Sequence, residues 1–383
     1  MGIKNLNVIL SKECVNAINI RKLESYRGKI FGIDISIFLY KYLYNNDDHI
    51  EGITRLLLRL MKNQITPVVF FDGKPPKEKD NTIQERKDRR EFLVIKKNLL
   101  NYCIKLDKSN FEEFKDNIMK YIEDTNSSYI IDEVEIFELF RESEESLLKN
   151  YDKISKKIIY VTQHHIDSTK KLLDLFGVKY IHEDCEAESL LAVFCKKGIV
   201  DGCISEDMDV LVNGGCLFIR NFNSDKNIVQ EYCLYGILEC LKITYDQFID
   251  MCILCGCDYT PKINGMGPIT AYKLISKFKN IEEIIKNNHK YIIPENFDYE
   301  KARELFKFPV SNELYEKSNK NIRLSKPNII ELVDFLKDTK LKDKSINEIN
   351  NSLINYYLNI EGTEIYGLPL VKLRKITDFF FHK

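Results

Sequence analysis

The chain has 383 residues, of which 44% are hydrophobic and 30% are charged, and this composition excludes an intrinsically disordered protein. Lys and Arg together number 57 against 58 for Asp and Glu, so the net charge of −1 excludes a protein that binds nucleic acid through overall positive charge. We find no run of about 18 apolar residues and therefore expect no membrane span.

Short apolar runs alternate with helical patterns along most of the chain. The predicted strands cover residues 29–35, 66–73, 178–181, 202–205 and 217–219, and helical spacing covers 53–61, 169–176 and 187–195. Continuous apolar runs indicate strands that are buried on both faces. We therefore predict an α/β fold with a mostly parallel central sheet flanked by helices. Asp34, Asp72 and the Asp207/Asp209 pair come at the carboxyl ends of predicted strands, where such sheets form their sites.

Two charged stretches follow the second predicted strand. Residues 74–97 contain nine basic and five acidic residues, for a net charge of +4, and a helix with this mixture is usually a solvated face. Lys79 and Arg86 are seven residues apart, so both lie on one face of a continuous helix. Residues 107–150, the acidic stretch, contain 13 acids and five bases, for a net charge of −8. We predict that the acidic stretch is a helical or partly mobile insertion. Its negative charge would offset, in the overall charge, basic patches that lie elsewhere in the chain.

Two further features lie in the second half of the chain. Gly265 and Gly267 form a turn between predicted helices 248–255 and 270–278, where backbone N–H groups can approach a phosphate, although this signal is weak alone. Cys252 and Cys255 form a C-x-x-C with no second Cys or His pair nearby, which favours an apolar helix over a zinc site.

The odd number of cysteines, 11, and the lack of a signal-peptide pattern predict an intracellular protein with reduced thiols.

Seven acidic residues form a candidate metal site: Asp34, Asp72, Glu186, Glu188, Asp207, Asp209 and Asp258. Carboxylates repel one another, so several of them at strand ends require compensating cations. Oxygen ligands in this number suit Mg²⁺, and two such ions about 4 Å apart can hold the attacking and leaving oxygens of a phosphodiester displacement. Each acid taken singly is more often a helix cap or a solvated charge. The residue types alone therefore give only a weak prediction of a metal site.

Several motifs in a fixed order resemble those of the flap endonucleases, structure-specific 5′ nucleases related to the xeroderma group G nuclease family. They are Met1–Ile3, Asp34 with Ser36 and Tyr40, Phe71–Pro76 (F-D-G-K-P-P), Cys185–Ser189 (similar to S-E-A-E-A), Ser205–Asp209 (similar to T-E-D-M-D) and Cys255–Tyr259 (similar to L-G-S-D-Y). The resemblance runs nearly end to end. It implies a 5′ flap endonuclease, with 5′ exonuclease activity, that acts on branched DNA in replication and repair by two-metal hydrolysis.

The resemblance also implies roles for individual residues. Asp34, Asp72 and Glu188 would bind mainly one Mg²⁺, Asp207, Asp209 and Asp258 the other, with Glu186 near both and Mn²⁺ as an alternative ion. Lys79 and Arg86 would reach the scissile phosphate and be catalytic. The implied DNA contacts are Gly2, Tyr40, Arg89, Arg90, Gly265 and Gly267. Tyr40 would stack on a base beside the scissile phosphate, with core packing as the alternative interpretation.

Two binding elements follow from the same resemblance. A helix–two-turn–helix at about 248–278 would hold downstream duplex and a K⁺ ion, with Lys262 or Lys273 in place of the family's basic residue. The tail resembles the clamp-binding box Q-x-x-I-x-x-F-F, through which Ile376, Phe379 and Phe380 would bind the sliding clamp (PCNA). Leu373 stands where the box has Gln, which predicts weaker binding.

We therefore divide the chain into four regions: an N-terminal nuclease region (1–106), an acidic arch or cap insertion (107–155), an internal nuclease region (156–345) and a tail (346–383). We expect a monomer with no membrane partner, in the nucleus or another site of DNA replication. The alternatives are a 5′→3′ duplex exonuclease or junction resolvase of the same superfamily, and a non-catalytic DNA-binding scaffold.

Overall fold

The structure, a computed structural model, describes residues 2–45, 48–125, 129–222, 227–287, 290–307, 309–318, 324–339, 341, 349, 351–353 and 355–357. The chain forms two compact units. The sheet unit comprises residues 1–39, 48–76 and 163–383, and the helical unit comprises residues 40–47 and 77–162.

The sheet unit contains one seven-stranded sheet with the order β1-β7-β6-β5-β2-β3-β4. Its strands are β1 (Ile18–Lys22), β2 (Ile30–Asp34), β3 (Thr66–Phe71), β4 (Tyr180–His182), β5 (Gly202–Ile204), β6 (Leu217–Arg220) and β7 (Ile228–Cys233). Strands β2 to β6 pair in parallel, whereas β7 is antiparallel to β6 and β1 is antiparallel to β7. The predicted α/β fold with a mostly parallel central sheet is confirmed.

The order in which the chain adds strands to the sheet changes side between the parallel neighbours β2 and β5. From β2 the chain continues outward to β3 and β4, and from β5 it continues outward on the other side to β6 and β7. In α/β proteins such a switch point opens a crevice at the carboxyl ends of the strands, where sites form. The sheet topology therefore marks the ends of β2, β3 and β5 as the place to look for chemistry.

The helices surround this sheet or form the helical unit. In chain order they are α1 (Leu6–Glu13), α2 (Ile35–Tyr44), α3 (His49–Lys62), α4 (Asp80–Cys103), α5 (Phe111–Asp124), α6 (Glu133–Arg141), α7 (Glu144–Ser155), α8 (Gln163–Phe176), α9 (Ala187–Lys196), α10 (Asp209–Val212), α11 (Leu234–Leu241), α12 (Tyr245–Cys255), α13 (Pro268–Phe278), α14 (Ile281–Asn287), α15 (Tyr299–Lys307), α16 (Asn312–Ser318) and α17 (Ile329–Lys337). The five helices predicted in the sheet unit lie within α3, α8, α9, α12 and α13. None of the described helices has both the length and the apolar character that crossing a membrane requires.

The helix α9 lies close against β2 because Gly32 has no side chain. A Cβ atom at Gly32 would lie 2.1 Å from Cδ1 of Leu191 and 2.9 Å from Cε2 of Phe70, so a larger residue would force these buried side chains to shift. Cys252 and Cys255 of α12 are buried in the same hydrophobic core, as the apolar-helix interpretation predicts.

A buried ion pair joins α12 to α15. The guanidinium of Arg303 donates to both carboxylate oxygens of Asp250, at 2.8 and 2.9 Å, and also contacts Glu282 at the start of α14. Asp250 is only 3% exposed, and its other donor is the N–H of Ile281 at 3.2 Å. The pair therefore ties together the helices around the predicted helix–two-turn–helix.

We expect Arg303→Met to lower the free energy of unfolding by about 3 kcal/mol, because it leaves a buried carboxylate without its cation. Urea denaturation followed by circular dichroism measures this loss. Lys301→Met on the same helix is the matched control, since its partner Glu304, at 3.3 Å, is exposed and such pairs contribute less than about 1 kcal/mol. Equal losses in the two variants would contradict the larger contribution to the free energy of unfolding that we assign to the ion pair between Asp250 and Arg303.

The helical unit has its own hydrophobic core. Helices α5, α6 and α7 pack with the carboxyl-terminal end of α4 around buried side chains, which are Leu99, Leu100, Cys103, Phe114, Ile118, Tyr129, Ile136, Leu139 and Leu147. Lys108 donates to the carbonyls of Leu139 and Glu142, at 2.6 and 2.5 Å, and so binds the carboxyl end of α6. The acidic stretch is helical, as predicted, and has a packed interior.

Candidate active site

The carboxyl ends of three adjacent parallel strands bring the first acids together. Strand β2 ends at Asp34, β3 is followed directly by Asp72, and β5 is followed by Ser205 and Asp207. Because β2 lies between β5 and β3, these ends meet at one edge of the sheet. The charges of Asp72 and Asp207 both act on Asp34, which places the three carboxylates within electrostatic reach of one another.

Asp34 is the most deeply constrained of these acids. It is 4% exposed, and its Oδ2 accepts a hydrogen bond from Ser205 Oγ at 2.8 Å. Its Oδ1 is buried and has no hydrogen-bond partner among the described residues. Burial, followed by repulsion from Asp72 and Asp207, raises the pKa of Asp34 to about 8. A buried carboxylate with an unpartnered oxygen needs a proton or a cation beside it.

A short chain of hydrogen bonds continues from Ser205 to the start of the sequence. The N–H of Asp207 donates to Ser205 Oγ at 3.0 Å, and the N–H of Asp209 donates to Asp207 Oδ1 at 3.1 Å. Asp209 is 1% exposed, and its Oδ1 accepts from the N–H of Ile3 at 2.8 Å. Ser205 and the Ile3 amide therefore orient the carboxylates of Asp34 and Asp209, and Ser205 also accepts from the backbone of Asp207.

Gly2 lies directly against two of these carboxylates. A Cβ atom at this position would be 2.0 Å from Asp207 Oδ1 and 2.3 Å from Asp209 Oδ1, and its φ of +72° favours glycine. The next residues are held in place because the N–H of Lys4 donates to the carbonyl of Gly256 at 3.0 Å. The amino-terminal segment thus forms one wall of the acidic site.

The first turn of α9 supplies two more acids. The N–H of Ala187 donates to Asp72 Oδ1 at 2.9 Å, which fixes the start of this helix at the end of β3. Glu186 is the N-cap residue and Glu188 lies in the first turn, where the helix dipole stabilises negative charge. The helix therefore presents both side chains beside Asp72.

Tyr259 connects the seventh acid to the others. Its hydroxyl donates to Glu186 Oε2 at 3.0 Å, and it directly follows Asp258, which is 9% exposed. Burial and the charges of Glu186, Asp209 and Glu188 raise the pKa of Tyr259 well above its usual range, so the hydroxyl remains a donor. The loop after α12 thereby joins the same edge of the sheet. Contacts and charge effects connect Asp34, Asp72, Glu186, Glu188, Asp207 and Asp209 with this edge, whereas Asp258 is connected with it through its neighbour Tyr259.

The donor set consists of hard carboxylate oxygens, which is the chemistry that Mg²⁺ selects. The unpartnered Oδ1 of Asp34 and the raised pKa of this residue fit a cation at the site. In the described part of the chain, no group of three or more His, Cys, Asp or Glu side chains is arranged to hold a metal ion as it stands. Like-charged groups repel one another, and several of these oxygens accept from protein N–H and O–H donors instead. The ligand assignment stays a prediction.

The predicted basic residues lie in the helical unit. Arg86, Arg89 and Arg90 are on α4, with Arg86 and Arg89 exposed and the Arg90 guanidinium 5.1 Å from the centre of the Tyr160 ring. Lys79 precedes the helix as its N-cap residue and ends a 3₁₀ turn, Lys77–Lys79. Lys79 therefore stands directly before the first residue of α4, and its seven-residue spacing from Arg86 on one face stays a prediction.

The remaining predicted residues lie in three places. Tyr40 is on α2 and is 39% exposed. Gly265 has a φ of +76°, and Gly267 is the N-cap residue of α13, where a Cβ atom would meet nothing within 4 Å. Ile376, Phe379 and Phe380, with Leu373, lie outside the described residues.

Comparison with known proteins places the motifs in a family. Residues 1–92 match the XPG N-terminal domain and residues 177–258 match the XPG I-region. The chain is 32% identical to flap endonuclease 1 of Plasmodium chabaudi chabaudi over 100% of this chain and 74% of that protein. It is 33% identical to flap endonuclease 1 of Glycine max over 88% of this chain and 82% of that protein.

Solved structures share the fold. The catalytic core of Rad2 in complex with DNA substrate aligns with a TM-score of 0.65 at 22% identity, over 92% of this chain and 100% of that one. Flap endonuclease-1 from Methanococcus jannaschii aligns with a TM-score of 0.59 at 23% identity, over 89% and 96%. The junction-resolving enzyme GEN1, in complex with product DNA and Mg²⁺, aligns with a TM-score of 0.57 at 16% identity, over 92% and 78%.

Proposed function

This chain belongs to the flap endonuclease family of the XPG nucleases, and we propose that it cuts branched DNA bearing a 5′ flap by Mg²⁺-dependent hydrolysis. The observation that carries the proposal is the meeting of Asp34, Asp72 and Asp207 at the ends of β2, β3 and β5, where the buried Oδ1 of Asp34 has no hydrogen-bond partner among the described residues. Hydrolysis at this site gives a 5′-phosphate and a 3′-hydroxyl. Trimming of 5′ ends by the same site would serve DNA replication and repair.

The carboxylates divide between two ions in this proposal. Asp34, Asp72 and Glu188 would hold one Mg²⁺, Asp207, Asp209 and Asp258 the other, and Glu186 would lie near both, with Mn²⁺ as an alternative metal. When bound, the ions would lower the pKa of water and stabilise the charge that develops on the phosphate. The chain's own part is orientation: Ser205 fixes Asp34 and Asp207, and Tyr259 fixes Glu186.

Cations of the helical unit complete the proposed chemistry. Lys79 and Arg86 would bind the scissile phosphate and stabilise its added negative charge in the transition state. Arg89 and Arg90 would contact the neighbouring backbone. The exposure of Tyr40 favours stacking on a base over the alternative of core packing.

Duplex DNA would bind at the start of α13. Gly265 and Gly267 leave the backbone N–H groups there open, and the amino end of a helix attracts phosphate. A K⁺ ion at this turn is part of the proposal, and so is a contact of Lys262 or Lys273 with the duplex in place of the family's basic residue. The tail residues Ile376, Phe379 and Phe380 would bind the sliding clamp. The enzyme would act as a monomer, in the nucleus or at another site of DNA replication.

One assay tests the function against its alternatives. End-labelled flap, gapped, blunt and four-way junction DNAs are incubated with the full chain, with and without Mg²⁺ or Mn²⁺. We expect one main cut near the base of the flap, and only with metal. A product ladder on blunt duplex would support the exonuclease, symmetric cuts in the junction would support the resolvase, and metal-independent binding without any cut would support the scaffold.

Ser205 provides a sharper test of the site. We expect Ser205→Ala to lower the single-turnover cleavage rate about tenfold, because one hydroxyl bonded to two groups is lost and a hydrogen bond to a charged group contributes about 1.5–3 kcal/mol. Ser205→Thr is the matched control, since it keeps the hydroxyl and is the residue in the family motif. Equal rates for the Ala and Thr variants would remove Ser205 from the orienting network.

A further inference from the structure

The outward side of α6 carries apolar side chains that the helical unit does not bury. Val134 is 67% exposed and Phe137, one turn later, is 44% exposed, while Ile130 just before the helix is 92% exposed. Ile136 and Leu139 of the same helix are buried in the core of the unit, so α6 is apolar on two sides. We call Ile130, Val134 and Phe137 the outer α6 face.

Helix α5 extends this face. The rings of Phe111 and Phe137 meet edge to face with centroids 5.3 Å apart, and Lys115 pairs with Glu133 at 2.6 Å, so the two helices run in opposite directions. Met119 is 41% exposed and lies one turn beyond Lys115 on α5. Because α5 and α6 run in opposite directions, Met119 lies beside the residues that precede Glu133. A set of neighbouring exposed apolar side chains is typical of a contact surface, unlike a single one.

Exposed acids surround the outer α6 face and few bases offset them. The exposed carboxylates of α5 and α6 and of the turn before α6 are Glu112, Glu113, Asp116, Glu123, Asp124, Asp132, Glu133 and Glu138. The nearby bases are fewer: Lys115 pairs with Glu133, Lys108 binds two carbonyl oxygens, and Lys120 and Arg141 are exposed. The remaining charge repels phosphate and attracts cations.

Arg141 shows what chemistry this surface accepts. Its guanidinium carbon lies 5.5 Å from the centre of the Phe137 ring, in a cation–π contact at the end of the face. A basic side chain is therefore already accommodated on the one exposed ring of α6. An incoming Arg or Lys would find the same ring surface and the same carboxylates.

We propose that the outer α6 face binds another protein through an amphipathic segment rich in Lys and Arg. Apolar side chains of that segment pack on Val134 and Phe137, and its cations pair with Asp132, Glu133 and Glu138. This surface lies between the two family matches, which end at residue 92 and resume at residue 177.

The test uses the full chain and a fluorescein-labelled amphipathic peptide of Leu and Lys, with a Leu and Glu peptide of the same pattern as its counterpart. We expect fluorescence anisotropy to show binding of the Lys peptide only, weakened by salt. The double variant Val134→Ser/Phe137→Ser and the single variant Glu138→Lys should each raise the Kd at least about tenfold, which is about 1.4 kcal/mol.

Matched controls lie on α7 of the same unit. Leu148 has the same 44% exposure as Phe137, and Glu144 is exposed like Glu138. Leu148→Ser and Glu144→Lys should leave the Kd and the circular dichroism spectrum unchanged. All four variants should cut flap DNA like the unaltered chain, which separates this proposal from the proposed function.

Other occupants give different results. If a peptide of residues 368–383, the chain's own basic and apolar tail, competes better than the Leu and Lys peptide, the face binds the tail and the proposal is overturned. If the Val134→Ser/Phe137→Ser variant loses affinity for flap DNA, the face belongs to the DNA path and the proposal is again overturned. Equal binding of the Lys and Glu peptides would exclude charge recognition.

Discussion

Asp209→Ala is expected to lower the single-turnover rate of flap cleavage by at least about 10³, equivalent to about 4 kcal/mol of the barrier, while affinity for flap DNA in EDTA stays close to that of the unaltered chain. Asp209 is 1% exposed and its Oδ1 is fixed by the N–H of Ile3. Removing this carboxylate takes away a proposed metal ligand and removes no positive charge.

Asp201 is the matched control for this substitution. It lies just before β5, accepts from the N–H of Ile30 and from Lys29, and so occupies the amino end of β2, opposite to the site. Asp201→Ala should cleave at close to the normal rate, with some loss of stability. Unchanged turnover in Asp209→Ala, or an equal loss in both variants, would refute the assignment of the metal site to the carboxyl ends.

The sequence predicted the buried half of the sheet and missed its exposed edge. Strands β2, β3 and β5 are continuous apolar runs because both of their faces are covered by helices. Strand β1 reads Ile-Asn-Ile-Arg-Lys and is largely exposed, and β7 buries only Val229 and Tyr232, which are three residues apart. Neither forms an apolar run, so periodicity gave no signal for them.

The candidate site was predictable only in part from the residues themselves. Asp34, Asp72 and Asp207 follow from the rule that strand ends meet, whereas Glu186, Glu188 and Asp258 needed the motifs of the resemblance. The contact of Ile3 with Asp209 joins residues 206 positions apart through a backbone N–H, which leaves no trace in side-chain identity. Ser205 lay inside a quoted motif, but its bridging role needs the geometry of two strands.

The overall charge also concealed the organisation of the chain. A net charge of −1 combines a stretch of +4 at residues 74–97 with one of −8 at residues 107–150. From residue 77 onward both stretches belong to the helical unit, where the basic residues lie in the 3₁₀ turn Lys77–Lys79 and on α4, and the acidic residues lie mainly on α5 to α7. A balanced total therefore hid two surfaces of opposite chemistry, one suited to phosphate and one to cations.

Gly2→Ala should also nearly abolish cleavage, lowering the single-turnover rate at least about a hundredfold, or about 2.7 kcal/mol. The new Cβ atom would stand 2.0 Å from Asp207 Oδ1 and 2.3 Å from Asp209 Oδ1, so either both carboxylates or the amino-terminal segment must move. Ile3 and Leu6 are buried, which resists movement of the segment. The displaced groups are therefore the carboxylates, and we expect the Mg²⁺ concentration for half-maximal rate to rise with the loss.

Gly198→Ala isolates this clash from backbone strain. Gly198 has the same φ of +72°, and a Cβ atom there would meet nothing within 4 Å, so the substitution costs only the left-handed backbone, about 1–2 kcal/mol of stability. Cleavage rate and Mg²⁺ dependence of Gly198→Ala should match those of the unaltered chain at a temperature where both are folded. Equal rates in the Gly2 and Gly198 variants would mean that the amino-terminal segment moves without displacing Asp207 and Asp209. That result would contradict our assignment of this segment as one wall of the site.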